Sequence, residues 1–203
     1  MTLSHMMNQF GKMKHYFIAC CCVFVVGIVL GYGYSDQFQS FIQSMMKALD
    51  ELAKSVATKE NPQASLFWLI FWNNVTKSLQ IIALGIFFGV IPLFFLLTNG
   101  LLLGYIASIQ VQKDSLLLLI KGILPHGIIE IPAIILASAL GLRLGVLIFK
   151  TTLKAFSPLH RSNPAGELKA FILALVPACL LLVVCLLIAA IIESTFTFWL
   201  IKL

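Results

Sequence analysis

Charge is what this sequence has least of. Of its 203 residues only 11% are Asp, Glu, Lys or Arg, while 60% are hydrophobic, and mean hydropathy is +1.01. A soluble domain carries about a quarter charged residues; with half that, the chain could not cover its own apolar surface, which excludes a water-soluble globule. Short alternating strands are also missing. The apolar stretches are long and continuous, which excludes a membrane barrel and leaves helical spans. The five cysteines (Cys20, Cys21, Cys22, Cys179, Cys185) contain no C-x-x-C pair and all lie inside apolar runs, where a thiol behaves as a small hydrophobe. H-E-x-x-H, G-x-S-x-G and a phosphate loop of the form G-x-x-x-x-G-K are absent, so the hydrolases and nucleotidases they serve are excluded, and no enzyme is expected. The net charge is +6 without a polar basic patch. Nucleic acid is therefore not an expected partner, and the basicity reads as cytoplasmic loop charge.

What is present predicts an all-α integral membrane protein, one membrane domain over residues 1–203. About five transmembrane helices are expected, one short and one broken by proline, with an extracytoplasmic amphipathic helix besides. Lys12 and Lys14 precede an apolar run over 16–34, a first span with a cytoplasmic N-terminus. Residues 35–64 form an outer polar stretch. Within it Phe38, Phe41, Ile42, Met45, Leu49, Leu52 and Val56 recur at spacings of three and four, an amphipathic helix that lies on the membrane or the bundle, or else offers a pairing surface. Trp68 and Trp72 mark an interface. Asn73, Asn74 and Lys77 open a second span to about Thr98. A third, starting at Asn99, has only about thirteen residues, roughly 20 Å against a ~30 Å core. A fourth runs from Leu116 to Ala139. Arg143, Lys150, Lys154, Arg161 and Lys169 make 141–169 a basic cytoplasmic segment, and 168–192 the last span, leaving the C-terminus outside.

Glycine is placed non-randomly. G-x-x-x-G occurs at Gly27/Gly31, Gly85/Gly89, Gly100/Gly104 and Gly141/Gly145, where random placement of 13 glycines gives about one. Such faces let helices approach closely. Two stretches also look alike: "IPLFFLLTNGLLLG" from Ile91 and "IPAIILASALGLRLG" from Ile131. The expected topology puts both prolines in helices running inward.

The chemistry concentrates in "LPHGIIEIPA", Leu124 to Ala133. His126 and Glu130 are four apart and share a face if helical. An ionised glutamate inside a bilayer costs several kcal/mol unless solvated or paired. Pro125 lacks an amide hydrogen, Pro132 frees a carbonyl, and Gly127 leaves backbone open beside His126. Three readings follow: a structural polar core, a polar cavity for a small ligand, ion or proton, or a divalent metal site such as zinc. The last has only two protein ligands, His126 and Glu130, where zinc takes three or four. Asn73, Asn74, Asn99, Lys77 and Lys121 are candidate polar neighbours.

This motif, the "NN" at Asn73–Asn74 and the "P…NGLLLG" string around Asn99–Gly100 resemble the stage II sporulation protein M family. The resemblance covers about Asn73 to Gly145 well, and the core that carries the motif is 74–145. It implies a multi-pass cell-membrane scaffold that works with peptidoglycan-degrading partners during forespore engulfment in sporulating bacteria; the family also reaches organisms that do not sporulate. A homodimer is expected, with contacts through the amphipathic helix and the glycine faces. The alternative is a transporter or metal-binding membrane protein using His126 and Glu130.

Overall fold

In the computed structural model, residues 10–57, 61–112, 129–156 and 163–201 are described. They are helical almost throughout. Helix α1 is Lys14–Gly33, apolar on every side. A single 3-10 turn, Ser35–Phe38, leads to α2, Gln39–Ala57, strongly amphipathic. Helix α3 is Pro62–Ala83, α4 is Val90–Gln112, α5 is Glu130–Phe156 and α6 is Pro164–Ile201. Among the described residues four helices are long and apolar enough to cross a membrane, over Lys14–Gly33, Val90–Val111, Glu130–Lys154 and Pro164–Thr195. Helix α3 is long enough but carries Asn73, Asn74, Lys77 and Gln80, and falls short on hydropathy.

Two helices start by the same device. Asn61 precedes Pro62, and its side chain accepts the Ala64 amide at 3.3 Å. Asn163 precedes Pro164 and accepts the Gly166 amide at 3.2 Å. The asparagine satisfies a donor that the first turn cannot, and proline needs none there.

The break between α3 and α4 differs from expectation. Helix α3 tightens into a 3-10 turn, Leu84–Ile86, and the chain then reverses through Phe88 (φ 54°) and Gly89 (φ 77°). Asn99–Gly100, expected to open a short third helix, lies inside the 23-residue α4. The reason is local. The Asn99 side chain donates to the Phe95 carbonyl at 2.7 Å, so its polarity is answered within the helix, and Gly100 serves a helix contact and not a turn.

The glycine pairs mate two by two. A methyl group on Gly27 or Gly31 would meet the backbone of Leu97 and Leu101; one on Gly100 or Gly104 would meet that of Phe24 and Ile28. Position numbers rise together on the two sides, so α1 and α4 run parallel, and this is the most extensive helix contact in the fold. Likewise Gly141 faces the Ile81 carbonyl, Gly85 faces Gly141, and Gly145 faces Gly85 and Gly89. Helices α3 and α5 therefore also run parallel. Pro92 returns to Gly141, its Cγ 2.9 Å from where a Cβ would stand, so α4 leaves antiparallel to α5. The helices of Pro92 and Pro132 thus run in opposite directions, which corrects the expectation that both run inward.

Helix α5 continues through the segment assigned to a basic loop. Gly141, Arg143 and Gly145 lie within its candidate span, and only Lys150 and Lys154 approach its end. Arg143 is 4% exposed, and its guanidinium carbon lies 4.5 Å from the ring centroid of Phe171 on α6. The arginine is tolerated inside because an aromatic face covers it.

Candidate functional site

The site is a seam between α3 and α5. On α3 and the turn that ends it, Asn74, Ser78, Ile81 and Gly85 follow at spacings of four, three and four; on α5, Glu130, Ile134, Ser138, Gly141 and Gly145 follow at four, four, three and four. Each set is one helical stripe. The contacts of Gly141 with Ile81 and of Gly145 with Gly85 fix the register. Carried back along two parallel helices, it sets Ser78 level with Ser138, and Asn74 level with Ile134, one turn from Glu130. Small residues at the glycine end bring the backbones together; Asn74, Ser78, Glu130 and Ser138 make the rest polar between Ile81 and Ile134.

The polarity is buried. Asn74 is 8% exposed, Ser78 1% and Ser138 0%. The Asn73 amide donates to the Asn74 side-chain oxygen at 3.5 Å. Among the described residues neither the Ser78 nor the Ser138 hydroxyl has a hydrogen-bond partner, although serine in a helix ordinarily bonds a carbonyl in the preceding turn. Thr98 and Ser108 on α4 do so, at 2.9 and 2.8 Å. Asn99 follows Pro92 by two turns and so shares the face that α4 turns toward α5; being half-buried and antiparallel, it points the polar end of α4 toward the Glu130 end of the seam.

Glu130 is the first residue of α5 and half-buried. A carboxylate is favoured there by the helix dipole and the unpaired amides of the first turn. Pro132 is exposed within that same turn, where a missing amide costs nothing, so it starts the helix and does not kink it. Pro125, His126, Gly127 and Lys121 lie outside the described residues, as does the first part of the expected fourth span. Among the described residues no group of three or more His, Cys, Asp or Glu side chains could hold a metal ion. The seam's donors are amide, hydroxyl and carboxylate oxygens, a set that suits hard cations and water better than zinc.

The structure thus brings Asn74 and Glu130 to one seam and Asn99 to its flank, and sets Asn73 on the outer side of α3, joined to the seam by its hydrogen bond to Asn74. Sequence reasoning missed Ser78 and Ser138. Their signal was present: each stands three residues before the position that makes the backbone contact, Ile81 or Gly141, on the stripe that runs up from Asn74 or Glu130.

The family model described as Stage II sporulation protein M matches residues 20–198. The uncharacterized protein MJ0706 of Methanocaldococcus jannaschii is 29% identical over 135 residues, which cover 66% of this chain and 58% of that protein. The chain therefore spans little more than half the length of the curated relative it matches. No solved structure matches. With the family model covering nearly all of the described helices, the chain belongs to the stage II sporulation protein M family.

Proposed function

We propose that this protein is a non-enzymatic membrane scaffold that crosses the bilayer five times, with α3 as the second crossing. Its N-terminus is cytoplasmic and its C-terminus outside. The observation that carries the reading is the pairing of the four G-x-x-x-G faces within one chain. Packing of that kind leaves no slack for helices to rock against each other, which suits a rigid platform more than a gated carrier. Charge supports the orientation. The register sets Lys14, Lys150, Lys154 and Lys169 toward one end of the bundle, while α2, with Asp50 and Glu51, follows the other end of α1. By the positive-inside rule the first end is cytoplasmic. Helix α2 then lies outside, where peptidoglycan-degrading partners of the kind the family resemblance implies would meet it.

The test places a photo-crosslinking residue at Gln43, Lys47 or Lys54 on α2, all exposed. Crosslinks to a cell-wall hydrolase from these positions and not from Lys150 support the scaffold. Crosslinks from Lys150 alone would invert the orientation and remove the extracytoplasmic role.

A second reading has one observation in its favour, the two unpartnered hydroxyls beneath Glu130. On this reading the seam and His126, four residues before Glu130 in sequence, hold a small ligand or a divalent ion such as zinc. A metal ion should then raise the melting temperature of the parent but not of Glu130→Gln or His126→Ala. An equal response in parent and variants removes the metal.

A further inference from the structure

The face that α3 turns away from the bundle does not suit lipid. Thr76, Lys77 and Gln80 are exposed, and Asn73 is half-buried. The Ile81–Gly141 register sets Lys77 level with Ala137. That is about 10 Å of helix from the Glu130 end of α5 and about 18 Å from the turn at Gly89. Both distances exceed the roughly 6 Å over which a lysine can snorkel. A charged group facing acyl chains at such a depth costs about 3 kcal/mol or more. Something must cover this face if, as the preceding reading has it, α3 crosses the membrane.

The pattern of the face identifies the cover. Leu66, Leu69, Asn73, Thr76, Gln80 and Ala83 follow at spacings of three, four, three, four and three, and none of them is buried. This is the a/d rhythm of a left-handed helix pair. Its central members are amides seven residues apart. Each amide is both donor and acceptor, so it can bond its own copy across a two-fold axis. The rhythm places Trp72 at a g position and Lys77 at the e position five residues later. In a parallel pair those two positions face each other across the seam. Lys77 of one copy then lies over Trp72 of the other, twice by symmetry, and the two ammonium groups stay apart. Trp72 is 65% exposed in the single chain and open to such a contact. The glycine faces, otherwise the natural dimer contacts, are occupied within the chain. We propose that two copies of this protein pair in parallel through α3, with Asn73 and Gln80 as the hydrogen-bonded core and Lys77–Trp72 contacts at the flanks.

Single cysteines at Thr76, Ala83 or Val184, introduced after Cys20, Cys21, Cys22, Cys179 and Cys185 are replaced by alanine, test the contact in native membranes. Val184 is 53% exposed on α6 and serves as the lipid-facing reference. Oxidative dimers should form at Thr76 and Ala83 at least ~10-fold above Val184. Gln80→Leu, which suits lipid and leaves the Asn73–Asn74 hydrogen bond in place, should lower the Thr76 dimer about tenfold. Lys77→Met should lower it too, and Lys77→Arg should restore it. Dimer at Thr76 no greater than at Val184, or undiminished in the leucine variant, overturns the proposal. Photobleaching of the unsubstituted full chain in liposomes gives an answer independent of the cysteine replacements: two steps support pairing, one step refutes it. An alkaline wash separates the two layers of inference. Protein that stays in the washed membranes as a monomer refutes the pairing alone, and protein that washes off refutes the membrane reading beneath it.

Discussion

Replacing Gly31 by alanine tests the parallel seam between α1 and α4 directly. The added methyl would stand 2.7 Å from the Leu101 carbonyl carbon and 2.9 Å from its Cα, and closer still to its oxygen. Ordinary contact begins at 3.4 Å. The obstacle is backbone, which cannot rotate away, so the helices must part by about 1 Å. A gap of that size forfeits roughly a quarter to a half of the dispersion energy along the seam. Overpacking of a close contact costs about 1–3 kcal/mol, and alanine returns up to ~1 kcal/mol of helix propensity. The expected net loss is roughly 1–2 kcal/mol. Gly33 is the internal reference, because a methyl there meets nothing within 4 Å and only the propensity gain remains. Equilibrium unfolding in mixed detergent micelles should therefore rank Gly31→Ala below the parent and Gly33→Ala level with it or above. Gly104→Ala, which collides with Ile28 across the same seam, should cost a similar amount. The double variant Gly31→Ala/Gly104→Ala should cost less than both changes separately, since helices already parted accept the second methyl. If Gly31→Ala and Gly33→Ala agree within about 0.5 kcal/mol, the uncertainty to which additive effects are known, the seam as described is wrong.

Three further outcomes follow from particular side chains. Ser78→Ala and Ser138→Ala remove buried hydroxyls that have no partner among the described residues, so each should leave stability unchanged or raise it by about 1 kcal/mol in the same unfolding assay; a loss above that size would show that the hydroxyls hold something. Phe171→Leu keeps an apolar side chain but removes the ring above Arg143, and should destabilise by about 1–2 kcal/mol. Phe171→Tyr, which keeps the ring face, should not. Asn61→Ala and Asn163→Ala each remove a cap and should cost about 1 kcal/mol, whereas the corresponding aspartates should retain the parent's stability.

The helical membrane class was legible because composition alone decides it: a chain this poor in charge has no other way to satisfy its backbone. The glycine pairs were legible as contacts but not as partners. Nothing in a sequence says whether Gly27/Gly31 seeks Gly100/Gly104 of the same chain or another copy, and the outcome depends on three-dimensional register. The α3–α4 boundary was misread because Asn-Gly is a turn signal in water. Within a helix of an apolar bundle, Asn99 bonds back to Phe95 and Gly100 is needed for contact, while the true reversal uses Phe88 in a conformation most residues avoid. Arg143 was misassigned for a related reason. The positive-inside rule counts charges without knowing that Phe171, on the next helix, covers this one. Glu130 and the asparagines were visible as polar residues in apolar runs, but the two serines were not, because serine is unremarkable in membrane helices until its hydroxyl is found without a partner.

The similarity between the two Ile-Pro stretches takes on physical meaning in this arrangement. Helices α4 and α5 both place Ile-Pro at their second and third positions, and each carries its glycine pair two to three turns later. Proline in the first turn and glycine along the shaft are what a helix needs to start abruptly and then press its backbone against a neighbour. Each of the two does press against a parallel partner, α4 on α1 and α5 on α3. The two parallel pairs run in opposite directions, and they touch where the Pro92 ring reaches Gly141. A tandem copy inserted in the same sense would put both prolines toward one end of the bundle. The observed pairs are related instead as if by a two-fold axis in the membrane plane, the relation of inverted repeats. At this crossing the Pro92 ring of one pair presses on the glycine seam of the other. Loosening either seam should therefore be felt at Ser138 and Ser78, one turn from that crossing. This makes the unpartnered hydroxyls the sensitive point of the bundle, and their response to Gly31→Ala, read by amide exchange at α5, the measure of how rigidly the two halves are joined.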